Sequence, residues 1–178
     1  MHHLIPNRNY EQHPPAVFPP LDAVAWGFDF YGLWKTLEVA GVHQTMRWIP
    51  PGDFKMGSPK DELGRDDDEL LHSVKLTMGF WLADTACTQQ LWQSVTGNNP
   101  SDFKGEFRPV ENISWNEATE FLQSVSSEQS TLVLPTEAQW EYACRANTDT
   151  PFNCGKNIDP TMVNYLSLIH ISEPTRPY

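Results

Sequence analysis

The sequence predicts an α+β fold made of short elements with little regular secondary structure. Alternating apolar segments come first along the chain, and three segments with helix-start signals follow them, an order typical of α+β domains rather than of repeated βαβ units. The 178 residues include 15 prolines and 10 glycines, which favour many turns between short elements. We therefore expect neither long helices nor an internal repeat.

The N-terminal segment, residues 1–23, is rich in proline and has no apolar period. This composition predicts a flexible or extended leader, to which we assign no chemistry. The folded domain is expected at residues 24–165.

Strands are predicted where apolar and polar residues alternate. A β-hairpin is expected at residues 33–48, with its turn at Ala40 and Gly41. Four residues of its first strand share one face: Leu33, Lys35, Leu37 and Val39. Three further short strands are expected at residues 54–56, 72–77 and 80–82, and an acidic loop that ends at Glu69 separates the first two.

Helices are predicted after three N-cap residues: Thr88, Ser114 and Thr136. The last two caps open capping boxes, because Glu117 and Gln139 stand three positions later. The first helix is expected to end at Gly97. The second helix has an apolar side formed by Ala118, Phe121, Leu122 and Val125.

The charge of the chain excludes several classes of partner. There are 12 Lys and Arg against 23 Asp and Glu, a formal net charge of −11. Because nucleic acids and anionic membranes are bound by basic surfaces, we expect neither as a partner. The sequence has no apolar stretch of the roughly 20 residues that a membrane span needs, and it lacks a signal peptide. A cytoplasmic location is therefore expected.

Two sequence features leave a metal or catalytic role open. The acidic loop at residues 61–69 could bind calcium, but it lacks the EF-hand order of ligands, and a solvated loop held by Arg65 is the simpler interpretation. His72 follows that loop at the start of a strand. A structural hydrogen bond is the favoured role for it, and catalysis is the alternative.

The cysteines and tryptophans are interpreted mainly as core residues. Three cysteines without CxxC spacing fit neither a disulfide framework nor a zinc site. Cys87 lies at a helix N-terminus, where a reactive thiolate is conceivable, although a small buried apolar side chain is favoured. Cys144 shares a helix face with Trp140, so both are expected in the core. The seven tryptophans are likewise expected to form core rather than a ligand-stacking surface.

Five blocks of sequence, in order from about Arg47 to Tyr165, resemble the formylglycine-generating, sulfatase-modifying enzyme family and are similar to its bacterial members. The blocks are RWIPPGDFKMGSP, GRDDDELLHSVKL, GFWLADTACTQQLWQSVTGNNPSDF, RPVENISWNEATEF and LPTEAQWEYACRANTDTPF. The resemblance implies a compact fold related to C-type lectins, with bound calcium. Members of the family oxidise a substrate cysteine to formylglycine with copper and O₂, and the copper is held by a close cysteine pair in the C-terminal part.

The resemblance also implies site residues. Asn164 matches the Asn that opens the family's calcium site, and Tyr165 matches the next residue, which offers its backbone carbonyl; oxygen donors of this kind suit calcium. Neither Cys87 nor Cys144 matches the copper pair, so copper is expected only in a full-length member. The implied partner is a protein or peptide that carries the substrate cysteine.

This sequence departs from the family pattern at three positions. Val133 and Gln139 stand where the family prefers Arg and Glu, which is expected to weaken a buried ion network, and Leu71 stands where proline is usual.

The last residues, 166–178, are expected to be non-native. Their first part, LSLIHISEPTR, resembles the translation of an adaptor used in transposase-based sequencing libraries. The domain is therefore expected to be truncated, inactive as it stands and weakly cooperative in unfolding.

Three functions remain open. The first is a formylglycine-generating type of oxidoreductase, which requires a cysteine pair because soft thiolates select Cu(I). The second is a non-catalytic, lectin-like binding module on the same fold. The third is a domain of an iron-dependent sulfoxide synthase, which requires clustered histidines, and His2, His3 and His13 do not form that motif.

Overall fold

The computed structural model describes residues 12–62, 64–152, 155 and 156. These residues form two compact units: one contains residues 12–50 and 80–134, and the other contains the described residues of 51–79 and 135–156. Six strands lie in this part of the chain: β1 (Ala25–Asp29), β2 (Gly32–Val39), β3 (Val42–Ile49), β4 (Gly52–Met56), β5 (His72–Leu76) and β6 (Phe80–Ala83). Three helices accompany them: α1 (Gln89–Thr96), α2 (Trp115–Val125) and α3 (Glu137–Arg145). The mixture of short strands and short helices confirms the α+β prediction.

The first unit contains an antiparallel four-stranded sheet in the order β1-β2-β3-β6. The predicted hairpin is confirmed as β2 and β3, and its turn has positive φ at Ala40 (50°) and Gly41 (78°). Leu33, Lys35 and Leu37 are all buried, as the alternation of β2 predicts.

Strand β1 was not predicted. Its sequence, AWGFD, is short and has a glycine at its centre, so it shows little of the usual strand signal. The connection to β2 is nevertheless marked, because the Asp29 carboxylate accepts a hydrogen bond from the Tyr31 N–H at 2.8 Å. This Asx-type turn is the signal that could have located the hairpin.

The segment before β1 is anchored to the sheet of the first unit. Lys35 Nζ donates to the Asp22 carboxylate at 2.5 Å, and Trp48 Nε1 donates to the His13 carbonyl at 2.8 Å. The Phe18 ring packs edge-on against Trp26 at 4.8 Å between centroids. The described part of the predicted leader is therefore packed on the sheet, and it contributes Asp22 to a buried ion pair with Lys35.

Helices α1 and α2 form the core of the first unit. Leu91, Trp92 and Phe121 are buried together, and the Trp92 and Phe121 rings stack at 4.9 Å. Both predicted caps are confirmed: Thr88 Oγ1 accepts from Leu91 N at 3.2 Å, and α2 begins with a complete capping box. Helix α1 ends at Gly97 with a left-handed φ of 78°, as predicted.

The second unit pairs β4 with β5 and packs α3 beside β4. The Phe54 and Tyr142 rings lie 5.3 Å apart, and Tyr142 is the large apolar side chain that α3 buries. A Cβ at Gly52 would lie 2.3 Å from the Tyr142 hydroxyl, so the close approach of α3 to β4 requires glycine there.

The prediction that the tryptophans form the core was largely wrong. Trp92 is buried, but Trp115 and Trp140 are 70% and 59% exposed. Helix α3 faces β4 through Tyr142, and residues two positions away on a helix point to the opposite side. Trp140 and Cys144 therefore do share a face, as predicted, but that face leaves Trp140 exposed and Cys144 half-buried.

Candidate functional site

Gln89 is the centre of a buried polar network in the first unit. Its side chain is 1% exposed and makes four hydrogen bonds. Nε2 donates to the carbonyls of Phe103 (2.9 Å) and Pro109 (3.1 Å). Oε1 accepts from Asn99 Nδ2 (2.9 Å) and from the backbone N–H of Gly105 (3.0 Å). All four hydrogen-bonding positions of the amide are thus satisfied within the protein.

A second set of contacts fixes the loop that follows α1. Asn99 Oδ1 accepts from the Ser101 N–H at 3.1 Å, and Ser101 Oγ in turn accepts from the Glu111 N–H at 3.1 Å. The Glu111 carboxylate accepts from the Phe103 N–H at 2.9 Å. Since Ser101 is 1% exposed, these bonds are shielded from water and give the loop a single conformation.

The sequence did not indicate a buried role for Gln89, because glutamine in the first turn of a helix is ordinarily exposed. Its burial could have been predicted from its position on the helix. Gln89 stands three residues before Trp92, on the helix face that turns inward.

A polar cleft lies between α1 and this loop. Its volume is about 650 Å³, within the range of small-molecule sites. The residues that line it are Gln89, Gln90, Gln93, Ser94, Asn99, Lys104, Gly105 and Glu106. The cleft therefore has a rigid floor, formed by Gln89 and Asn99, and a rim of exposed polar side chains.

In the second unit, two side chains of α3 hold one glycine. Glu141 Oε1 accepts from the Gly57 N–H at 3.0 Å, and Arg145 donates to the Gly57 carbonyl at 2.8 Å. Arg145 and Glu141 also form an ion pair at 2.7 Å, with i,i+4 spacing. Gly57 has a φ of +86°, so the pair stabilises a backbone conformation that few other residues adopt.

The sequence of the chain matches a known family. A model of the sulfatase-modifying factor enzyme 1-like domain matches residues 33–172. The chain belongs to this family. The match covers the hairpin, the cleft and the Gly57 contacts, and it continues past Tyr165, where the sequence predicts the end of the domain.

Two curated relatives of the sulfatase-modifying factor domain match parts of the chain. One is "Chaperone protein LppX" of Paenibacillus barcinonensis, 41% identical over 51 residues, which are 29% of this chain and 18% of that protein. The other is the formylglycine-generating enzyme of Mus musculus, 26% identical over 99 residues, which are 55% of this chain and 24% of the mouse protein. The chain spans about a quarter or less of the length of these relatives.

Two solved structures share the fold. Treponema denticola variable protein 1 aligns with a TM-score of 0.59 and 25% identity, over 72% of this chain and 62% of that one. PvdO from Pseudomonas aeruginosa aligns with a TM-score of 0.54 and 26% identity, over 61% of this chain and 49% of that one. These alignments confirm the fold that the sequence motifs implied.

The described thiols do not fit the copper site of the family. Burial raises the pKa of the Cys87 thiol to about 11, and the thiol packs beside the Leu91, Trp92 and Phe121 cluster. Burial also raises the pKa of Cys144. The described thiols are Cys87 and Cys144, one in each unit, so neither has a described thiol partner within its own unit, whereas the family's copper site requires a pair of thiolates. The interpretation of Cys87 as a small, partly buried apolar residue is confirmed.

The acidic loop does not fit calcium either. The Glu69 carboxylate accepts from Ser58 Oγ at 2.6 Å, and Arg65 Nη2 donates to the Glu69 carbonyl at 3.3 Å. Because a guanidinium occupies the inside of the loop, a second cation there would be repelled. The predicted role of Arg65 as the residue that holds the loop is confirmed.

The remaining predicted ligands fall into two groups. His72 Nδ1 lies 2.7 Å from the Leu70 carbonyl, which confirms a structural hydrogen bond. Asn164 and Tyr165, the predicted calcium ligands, lie outside the described residues. Within the described residues, no group of three or more His, Cys, Asp or Glu side chains is arranged to hold a metal ion.

The positions that depart from the family pattern have local explanations. Gln139 Oε1 accepts from the Thr136 N–H at 2.9 Å, so it completes the capping box of α3 as glutamate would. Val133 is 72% exposed, and Leu71 is also exposed. Neither Val133 nor Gln139 lies in a buried ion network, which corrects the expectation that their side chains weaken one.

No described helix is long and apolar enough to cross a membrane.

Proposed function

We propose that this chain is part of a formylglycine-generating oxidoreductase. Such an enzyme oxidises a cysteine of a protein or peptide substrate to formylglycine. The observation that carries the proposal is the family match over residues 33–172, and the identity with the mouse formylglycine-generating enzyme supports it. The net charge of −11 disfavours nucleic acids and anionic membranes as partners. We also propose a cytoplasmic location for the protein.

In this proposal the described residues form the scaffold, and the metal ligands come from elsewhere. The proposal requires a copper-binding cysteine pair and the further ligands of a calcium site that would include Asn164 and Tyr165. The Gln89 network and the Gly57 contacts would hold their loops rigid, and rigid loops support a precisely positioned active site.

The first experiment is to amplify and sequence the source DNA across the codon for Tyr165. A reading frame that continues into a close cysteine pair supports the proposal. The longer protein is then loaded with Cu(I) and incubated with O₂ and a cysteine-containing peptide. Aldehyde formation, measured by mass spectrometry and hydrazide labelling, is expected, and a variant with both cysteines replaced by serine is the control. A genomic LSLIHISEPTR sequence would show that the residues after Tyr165 are native, and a copper-loaded long protein that forms no aldehyde would refute the proposed function.

A second candidate is a non-catalytic binding module on the same fold. One observation favours it: a relative with 41% identity over 51 residues is named a chaperone. This function predicts a continuing frame without the cysteine pair. The DNA sequence therefore separates the two candidates before any assay is run.

A further inference from the structure

The cleft beside α1 has walls that are fixed before any ligand binds. The Gln89 and Gln90 N–H groups donate to the carbonyls of Arg108 (2.8 Å) and Glu106 (3.0 Å), so the loop is hydrogen-bonded to the first turn of α1. The Gly105 N–H is held by the buried Gln89 side chain at 3.0 Å. A ligand that enters this cleft orders little of the protein, which lowers the entropic cost of binding.

The rim of the cleft carries one charge of each sign. Lys104 Nζ donates to the Asn99 carbonyl at 2.8 Å, which positions the ammonium group but leaves its charge without a counter-ion. Glu106 is exposed, and neither residue forms an ion pair within the described part of the chain. An uncompensated lysine is notable in a chain with a net charge of −11.

The helix side of the cleft offers amide groups. Gln90 and Gln93 both line it, they lie three residues apart on α1, and both are exposed. Neither side chain makes a hydrogen bond to another described residue. Each amide can donate and accept, and this suits a ligand whose own groups do both.

We propose that this cleft binds a small zwitterion, an amino acid or a short peptide with free termini. The ligand carboxylate lies at Lys104, the ligand ammonium lies at Glu106, and Gln90 and Gln93 bind the groups between them. The volume of about 650 Å³ accommodates such a ligand. A polyanion is disfavoured because Glu106 and the net charge repel it. The proposal does not depend on the oxidation of cysteine, because no thiol lines the cleft.

The test is an NMR titration of the full 178-residue chain with triglycine, which has both termini and no side chains. We expect the amide signals of Gln90, Gln93 and Gly105 to shift in a saturable way. N-acetyl-triglycine amide, which lacks both charges, is expected to bind at least several-fold more weakly. Equal binding of the capped peptide, or no shift up to the solubility limit of triglycine, would overturn the proposal.

Paired variants locate the charges. Lys104→Met and Glu106→Gln are each expected to weaken triglycine binding about threefold to fivefold, the upper part of the range for exposed ion pairs. Lys75→Met and Glu128→Gln are the matched controls, because both residues are exposed and lie outside the cleft lining. Unchanged dispersion of the amide spectrum verifies that each variant is folded. Equal effects of the control and cleft variants, or tighter binding of glucose than of triglycine, would contradict the assignment.

Discussion

At the scale of single residues, Cys87 shows how burial decides chemistry. The thiol stands beside a helix N-terminus, which lowers a thiol pKa, yet burial raises that pKa to about 11. Packing against the Leu91, Trp92 and Phe121 cluster removes water from the sulfur, so desolvation exceeds the helix effect. The position of Cys87 at a helix N-terminus therefore suggests a nucleophilic thiol, but its apolar neighbours keep that thiol protonated and unreactive.

The Cys87 thiol is therefore expected to react slowly with iodoacetamide. Its pKa rises from 9.0 to about 11, which reduces the thiolate fraction at pH 8 about 100-fold. Peptide mapping by mass spectrometry follows the modification over time, and the same chain in concentrated urea is the control. Alkylation in the native chain as fast as in urea would show that the thiol is accessible and ionised.

Asp22 provides a second residue-level prediction. Burial of its carboxyl raises its pKa, but hydrogen bonds from Lys35 and Ser130 and the charge of Lys35 together bring the pKa below its ordinary value. A lowered native pKa stabilises the folded state above the unfolded pKa of about 3.9, and this stabilisation is lost as the pH falls through the native pKa. We expect the ion pair between Asp22 and Lys35 to form at neutral pH and to be lost in acid.

An NMR titration of the Asp22 carboxyl carbon measures this pKa directly. Lys35→Met is expected to raise it, since the donor and the charge are both lost. The amide of Val24 donates to the Thr36 carbonyl at 2.9 Å, and its protection from exchange, relative to the intrinsic rate, is expected to fall on acidification in the wild-type chain and to change little with pH in Asp22→Asn. A native pKa above the ordinary aspartate value would refute the prediction.

At the scale of elements, the sequence predicted those helix boundaries that interactions between neighbouring residues determine. The caps Thr88, Ser114 and Thr136 set the helix starts, because a side-chain oxygen that accepts an orphan N–H acts within one turn. Strand β1 was missed because its short segment with a central glycine gives little strand signal, and the buried Gln89 was missed because its hydrogen-bond partners lie 10 to 20 residues further along the chain. The exposure of Trp140 likewise followed from how α3 packs on β4, which no local pattern specifies.

The Gly57 turn supports an element-scale prediction with an internal control. Gly57 and Gly64 both have left-handed φ, at +86° and +83°. A Cβ at Gly57 would lie 2.6 Å from the Leu70 carbonyl oxygen, whereas nothing lies within 4 Å of one at Gly64. Alanine at Gly64 therefore adds only backbone strain, and alanine at Gly57 adds a clash with backbone.

We expect Gly64→Ala to cost about 1 kcal/mol and Gly57→Ala about 1–3 kcal/mol more. The readout is hydrogen exchange of the Ser58 amide, which donates to the Glu69 carbonyl at 3.3 Å. Gly57→Ala is expected to speed this exchange about fivefold or more beyond Gly64→Ala, since 1.4 kcal/mol is tenfold in an equilibrium. Equal exchange rates in the two variants would mean that the loop moves away from the added methyl group at no cost.

At the scale of the whole molecule, apolar burial is limited and unevenly divided between the two units. The buried apolar residues of the described chain are Leu33, Leu37, Met46, Leu91, Trp92, Phe121 and Tyr142, and of these only Tyr142 belongs to the second unit. Large apolar side chains meanwhile stay exposed in both units, with Trp115 at 70% and Val133 at 72% in the first and Trp140 at 59% in the second. Units with so little core are marginal on their own.

The 178-residue chain is therefore expected to unfold over a broad temperature range, without one cooperative transition, because each small core melts separately. It is also expected to bind the dye ANS before heating, since exposed aromatic and aliphatic side chains provide apolar surface. Differential scanning calorimetry and ANS fluorescence measure the two properties, and the longer protein recovered from the source DNA is the control. If residues beyond Tyr165 cover this surface, the longer protein melts sharply and binds less dye. A sharp, reversible two-state melt of the 178-residue chain would instead mean that the two units already unfold as one.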